Sequence, residues 1–276
     1  MIKTFTASDG YRWSYRHYQP QGEERSARIV AIHGIQSHGG WYERSCQFLS
    51  DSGFPVYFLD RRGSGLNEEA RGDTPGFRRL LSDIAEFIES LKEENQAKKT
   101  FLLAISWGGK IATAFQRRYP GLCDGLALLC PGFYPSVGPS LGGRLRILFS
   151  RLIRPRRLFP VPLSEPTLFT ETPRWLEFLK EDELSLRKAT ARFFVESVRL
   201  DMYLRWVPKH VKVPVLMMLA EKDRIIQNEP TRKLLDRFAS EDRTLIEYPG
   251  AHHTLEFEEN PEPFLHDLRD WFVKKS

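Results

Sequence analysis

Cysteine is scarce in this chain: Cys46, Cys123 and Cys130 are the only three in 276 residues. An odd, small number in a chain of this length argues against a disulfide scaffold and points to a reducing compartment, the cytoplasm. No C-x-x-C spacing occurs and the seven histidines are scattered, so neither a metal centre nor a bound cofactor is expected. Long apolar runs are also missing. None approaches the roughly 18 residues of a membrane span, and the opening Met1-Ile-Lys-Thr-Phe lacks the apolar stretch of a signal peptide. Acidic residues are absent between Asp124 and Glu165, a stretch that carries Arg144, Arg146, Arg151, Arg154, Arg156 and Arg157. Since the whole chain carries +5, these six arginines supply +6 and leave the remainder at −1. One basic segment on a near-neutral body does not describe a nucleic-acid-binding protein.

What is present is an ordinary globular mixture, 41% hydrophobic and 28% charged, which excludes a disordered or collagen-like chain. Tyr11, Trp13 and Tyr15 alternate with polar residues after the turn Asp9-Gly10, which predicts a hairpin over residues 2–18. Short apolar runs follow at Ile29 to Ile32, Val56 to Leu59, Phe101 to Ile105, Leu126 to Leu129, Val215 to Leu219 and Thr244 to Tyr248. Runs this short and continuous are expected of strands covered on both faces. Between them lie helical stripes, such as Leu80, Leu81, Ile84, Phe87, Ile88 and Leu91, and near the end Phe264, Leu265, Leu268, Trp271 and Phe272. Regular alternation of strand and helix predicts an α/β fold with a mostly parallel, doubly wound sheet. From Pro131 to Pro208 the rhythm breaks. That stretch has no strand pattern, several prolines, and helical segments at Trp175 to Lys180 and Leu184 to Leu204, so it reads as a helical insertion between two strands.

The segment Phe101-Leu-Leu-Ala-Ile-Ser106-Trp-Gly-Gly-Lys combines an apolar strand, a sharp turn and the start of a helix. Small residues at Ala104 and Gly108 are what such a reversal requires, because larger side chains there would strike neighbouring backbone. The turn lifts the Ser106 hydroxyl clear of the sheet at a helix N-terminus, where developing negative charge is favoured. A serine hydroxyl is a poor nucleophile unless a base takes its proton and a third group orients that base. Asp223 follows the strand at 215–219, and His253 follows the strand at 244–248, both just beyond the strand ends where α/β sheets present their sites. Glu221 competes with Asp223 but starts from an earlier point in the loop. His252 competes with His253, and adjacent loop residues point apart, so only one of the two reaches the serine.

The strand ending at Ile32 runs into His33-Gly34-Ile35-Gln36-Ser37-His38-Gly39-Gly40, a loop able to supply a backbone N–H to an oxyanion. Ile35 and Trp107 are the expected donors. A donor of this kind is worth about 3 to 4 kcal/mol in the transition state. His33 is expected to bond loop backbone, and His38 either lines the acyl site or is a solvated loop histidine. Asp60-Arg-Arg-Gly-Ser-Gly lacks the Lys-Ser/Thr of a phosphate loop, so Asp60 is expected to hydrogen-bond the backbone of its own turn.

His33-Gly-Ile-Gln-Ser-His38, Asp60-Arg-Arg-Gly-Ser-Gly, Ala104-Ile-Ser106-Trp-Gly-Gly, the Asp223 loop and Gly250-Ala-His-His253 together resemble the motif series of the monoacylglycerol lipase and lysophospholipase branch of the α/β-hydrolases, the serine aminopeptidase S33-like group. The resemblance spans nearly the whole chain, with Ala104 replacing the usual glycine. It implies an α/β-hydrolase core over 1–131 and 208–276, a helical cap over 132–207, and His253 as the histidine, the fourth residue of a Gly-x-x-His pattern. It also implies a lipid-like carboxylic ester as substrate, cleaved through an acyl-enzyme.

Placing residues at 100° steps from Arg144 puts Leu145, Leu148, Phe149, Leu152 and Ile153 on one arc and Arg144, Arg146, Arg151 and Arg154 on the other, with Ile147 the exception. This basic amphipathic helix either packs its apolar face over the acyl pocket or brings the cap into peripheral contact with an anionic lipid surface. Two other functions fit the same residues. An aminopeptidase of the proline iminopeptidase kind would use Ser106, Asp223 and His253 with acidic residues such as Glu165, Glu171 and Glu177 to Glu183 holding a substrate amine. A non-catalytic ligand-binding protein would use the same fold.

Overall fold

The hairpin and the six apolar runs assemble one sheet. In the computed structural model, which describes residues 1–94 and 98–276, the strands are β1 (Ile2–Thr6), β2 (Arg12–Tyr18), β3 (Ala27–Ile32), β4 (Val56–Leu59), β5 (Lys99–Ile105), β6 (Gly125–Leu129), the short β7 (Leu158–Pro160) and β8 (Lys188–Thr190), β9 (Val215–Ala220) and β10 (Arg243–Tyr248). The main sheet runs β1-β2-β4-β3-β5-β6-β9-β10, antiparallel from β1 through β4 and parallel onward. Every residue of β3, β6 and β9 is buried, which explains their unbroken apolar runs. The expectation fails for β10. As the last strand of the sheet it alternates exposed Arg243, Leu245 and Glu247 with half-buried Thr244, Ile246 and Tyr248, because only one of its faces is covered by the core.

The helices are α1 (Glu43–Asp51), α2 (Phe77–Glu94), α3 (Trp107–Arg118), α4 (Leu141–Ile153), α5 (Pro173–Glu181), α6 (Ala191–Leu204), α7 (Asn228–Asp236) and α8 (Glu262–Lys275). The stripes of α2 and α8 are buried along their whole length, and burying such side chains contributes about 1.5 to 3 kcal/mol apiece.

The chain from the end of β6 to the start of β9 is the helical insertion, and its Phe169, Leu179, Phe193 and Leu200 join the main apolar core. Two expectations about it need correcting. It does contain strands: β7 and β8 pair antiparallel, and the stretch 184–190, expected to be helical, supplies β8. The helix starts instead at Ala191, where the Thr190 hydroxyl accepts from the Phe193 N–H and so caps the first turn. The second correction concerns α4. Its apolar arc does not pack inward: Leu145, Leu148, Phe149, Leu152 and Ile153 are 57–78% exposed, whereas the exception, Ile147, is 6% exposed. Ile147 packs with Phe159 and Ala191, and the short Ser150 beside it is also buried. The small face of α4 therefore meets α6, and the large apolar face points to solvent.

Candidate active site

Ser106 terminates β5 and precedes α3 with φ 52° and ψ −121°, a left-handed backbone conformation costly for a residue with a Cβ. The surroundings hold it there. Its N–H donates to the Leu129 carbonyl at 2.9 Å, and its own carbonyl accepts from Gly109 at 2.9 Å and Gly132 at 2.8 Å. Although Ser106 occupies the N-cap position of α3, its hydroxyl makes no capping bond. Gly108 explains the small residue required after the serine: a Cβ there would stand 2.7 Å from the carbonyl oxygens of both Ile32 and His33.

Asp223 lies three residues beyond β9 and His253 five beyond β10. The Asp223 carboxylate accepts from the Ile225 and Ile226 amides with Oδ1, at 2.8 and 3.0 Å, and meets His253 Nδ1 with Oδ2 at 2.6 Å. His253 Nε2 is buried and has no hydrogen-bond partner, so no bond to Ser106 Oγ is formed here; such bonds often tighten only with substrate in place. The rivals sit elsewhere. Glu221 accepts from the Gly250 N–H, and His252 bonds Glu258 through Nδ1 at 3.0 Å.

Cys130 stands against this pair with φ 42°. Its sulfur, Asp223 and His253 lie within 4.8 Å of one another. Burial and the adjacent Asp223 hold its thiol well above the ordinary range, so it is protonated, while carboxylate and imidazole are spent on each other. A neutral thiol beside a carboxylate and an imidazole already hydrogen-bonded to each other makes a poor metal donor set.

The loop after β3 lies beside the serine. A Cβ on Gly34 would come within 3.2 Å of Ser106 Cβ, so glycine lets the loop approach this closely. Among the described residues, the amides of Ile35 and Trp107 have no protein acceptor. His33 behaves as expected: Nδ1 bonds the Gly34 carbonyl at 2.7 Å and Nε2 accepts from the Arg61 N–H at 3.1 Å. Burial, with Arg61 nearby, holds its pKa well below the usual value, so the ring is neutral. Asp60 also bonds its turn, accepting from the Leu66 N–H, and additionally holds the Gly39 amide and Arg16.

His38 departs from the solvated alternative. It is buried rather than solvated, Nδ1 accepts from the Gly40 N–H at 3.1 Å, and Nε2 lies 3.1 and 3.2 Å from the two oxygens of Asp182. Both ring nitrogens are thus committed to protein, and its polar atoms are not free for a substrate. Asp182 follows α5 and also accepts from Trp41 Nε1 and Ser185 Oγ, both at 2.7 Å. Against the burial that would raise it, His38 and Trp41 hold the Asp182 carboxyl well below its ordinary range. Other contacts from the insertion reach the site. The Phe169 ring lies 6.1 Å from that of His253, and Ser197 on α6 accepts from Trp107 Nε1 at 2.9 Å. Sequence reasoning missed Asp182, Phe169 and Ser197, because contacts made across 84 to 144 residues leave no local pattern.

An elbow serine, an aspartate–imidazole pair and two unpaired loop amides at the strand ends of such a sheet define an α/β-hydrolase. The profile of the serine aminopeptidase, S33 family matches residues 23–260, and the chain belongs to that family. Over its full length it is similar to the monoacylglycerol lipase of Mycolicibacterium smegmatis, with 28% identity covering 98% of this chain and 96% of that one. It is similar to lysophospholipase L2 of Escherichia coli at 26% identity, covering 97% and 86%. Among solved structures, the Paleococcus ferrophilus monoacylglycerol lipase superposes with a TM-score of 0.85 at 23% identity, covering 95% of this chain and 98% of that one.

Proposed function

We propose that this chain is a serine hydrolase that cleaves carboxylic esters of lipid-like substrates, of the monoacylglycerol or lysophospholipid type, through an acyl-enzyme. The observation that carries the reading is the buried, unpartnered Nε2 of His253 with Asp223 behind it, at the same end of the sheet as the backbone-constrained Ser106. His253 takes the Ser106 proton as Oγ attacks the ester carbonyl. The oxyanion rests on the amides of Ile35 and Trp107, and Asp223 stabilises the imidazolium. The imidazolium then protonates the departing alcohol. Water, deprotonated by His253, attacks the acyl-enzyme and releases the carboxylic acid and Ser106.

Residues 132–207 act as the cap, and the names of the two relatives support a lipid ester as substrate. An aminopeptidase is less well supported, since it needs an acid aimed at a substrate amine. Glu165, Glu177, Glu181 and Glu183 are exposed, Glu171 lies 60% exposed beside His252, and Asp182 is committed to His38 and Trp41. Three free, buried cysteines fit a reducing compartment, the cytoplasm. Turnover of a panel of monoacylglycerols, lysophospholipids and aminoacyl amides, with Ser106→Ala as the blank, tests the assignment. Activity confined to the amides would overturn it.

The cap also contacts membrane on this reading. No helix among the described residues is long and apolar enough to cross a bilayer. The outward face of α4 suits an interface instead: exposed Leu148, Phe149 and Leu152 are flanked by arginines, each worth about 1 kcal/mol near an anionic surface. Co-sedimentation with phosphatidylglycerol vesicles should be salt-sensitive and lost in Phe149→Glu/Leu152→Glu. Equal sedimentation with neutral vesicles, or no effect of the double variant, argues against lipid contact.

A further inference from the structure

The mechanism above uses the amides of Ile35 and Trp107, and one buried cation touches both of these residues. Arg61 follows Asp60 at the end of β4, is 9% exposed, and forms no ion pair among the described residues. Its guanidinium donates to the Ile35 carbonyl and reaches the Gly34 carbonyl at 3.5 Å. The same group lies 5.2 Å from the ring of Trp107 and 5.2 Å from the ring of Phe193 on α6. Its backbone N–H donates to His33 Nε2, which fixes the imidazole proton on Nδ1, the atom that bonds Gly34. Burial pushes the guanidinium down to about 9 with Asp60 opposing, so it stays charged at neutral pH.

The closer guanidinium contact, to the Ile35 carbonyl, holds the following peptide, while His33 Nδ1 at 2.7 Å and Arg61 at 3.5 Å both meet the Gly34 carbonyl of the Gly34–Ile35 peptide group. The Gly34 carbonyl and the Ile35 N–H are its two ends, and donors on the carbonyl polarise the N–H at the other end. A buried cation with no carboxylate in ion-pair contact also adds positive potential in a low-dielectric site where negative charge would develop. We infer that Arg61 is a positioning residue of the hydrolytic site: it aims and polarises the Ile35 amide, and it holds the Trp107 side against the cap through Phe193. The inference rests on the proposed roles of Ser106 and the two amides, and it goes beyond them by assigning the group that organises the oxyanion site.

Arg61→Lys keeps a charge but loses the planar fork and its ring contacts, and Arg61→Met loses the charge as well. With p-nitrophenyl butyrate, Arg61→Lys should lower kcat about 10- to 100-fold with KM changed by less than about threefold, and Arg61→Met should lose more. Inhibition by an alkyl trifluoromethyl ketone, whose serine adduct carries an oxyanion, should weaken by the same factor as kcat. A kcat at the parental level, a loss confined to KM or to melting temperature, or unchanged ketone affinity alongside reduced kcat would overturn the inference. If Arg61→Met does not fold, Arg61→Lys carries the test alone. Ser106→Ala, assayed in parallel, separates the two levels. Parental turnover in that variant refutes the underlying site, whereas an inactive Ser106→Ala beside fully active Arg61 variants refutes only the role of Arg61.

Discussion

Replacing Asp223 by asparagine changes one atom of the site and should nearly stop it. In the parent, Oδ1 accepts from the Ile225 and Ile226 amides, and Oδ2 accepts from His253 Nδ1 at 2.6 Å. Asparagine can keep its oxygen on the two amides, because two N–H groups there admit no other orientation. Its NH2 then faces Nδ1, and the ring must move its proton to Nε2 to avoid opposing donors. The nitrogen facing the serine is then an N–H, unable to accept the Ser106 proton. Exchanges of this type lower kcat about 10⁴-fold, equivalent to about 5.5 kcal/mol of transition-state stabilisation. Folding should suffer far less, about 2 kcal/mol for the charge-assisted bond to His253. Steady-state turnover of p-nitrophenyl butyrate, with urea unfolding of the same preparations, separates the two quantities. Glu221→Gln should stay within about twofold of the parent, since a neutral oxygen serves the Gly250 N–H as well. An Asp223→Asn enzyme retaining a tenth of parental kcat, or a Glu221→Gln enzyme that loses activity instead, would refute this assignment.

Two further perturbations test the frame around the site. Gly108→Ala places a Cβ 2.7 Å from two carbonyl oxygens that belong to β3 and the loop after it, so it should cost about 1 to 3 kcal/mol and lower the melting temperature, with kcat reduced as the elbow shifts. Unchanged melting and kcat would contradict the packing argument. Glu256 is almost fully buried against Ser45, and burial pushes its carboxyl up to about 7. The fold therefore favours its protonated form, and the stabilisation, complete below about pH 4.5, disappears as pH rises through 7. Glu256→Gln should gain up to about 3 kcal/mol relative to the parent between pH 4.5 and 8 in urea unfolding. Parallel stability curves would contradict it.

The core was readable because burial on both faces writes itself into continuous apolar runs, and the α2 and α8 stripes appear in the order in which they pack. Ser106 was readable for a local reason, since the elbow needs small residues at fixed offsets. The orientation of α4 was not. An amphipathic helix shows which face is apolar but not whether that face meets protein, and the contact used Ile147 and Ser150, a patch too small to register as a stripe. The start of α6 was not legible, because residues 188–190 are held by pairing with 158–160, a contact invisible in either segment alone. His38 shows the same limit. Its burial depends on Asp182, 144 positions away, and no spacing rule joins them.

The central claim is that Ser106 is the nucleophile, and it can be read from a covalent adduct. After reaction with a fluorophosphonate probe and digestion, mass spectrometry should find one modified peptide, spanning Ser106, and no adduct in Ser106→Ala, which should also be inactive on p-nitrophenyl butyrate. Labelling on another residue, or Ser106→Ala turning over at the parental rate, would contradict the account.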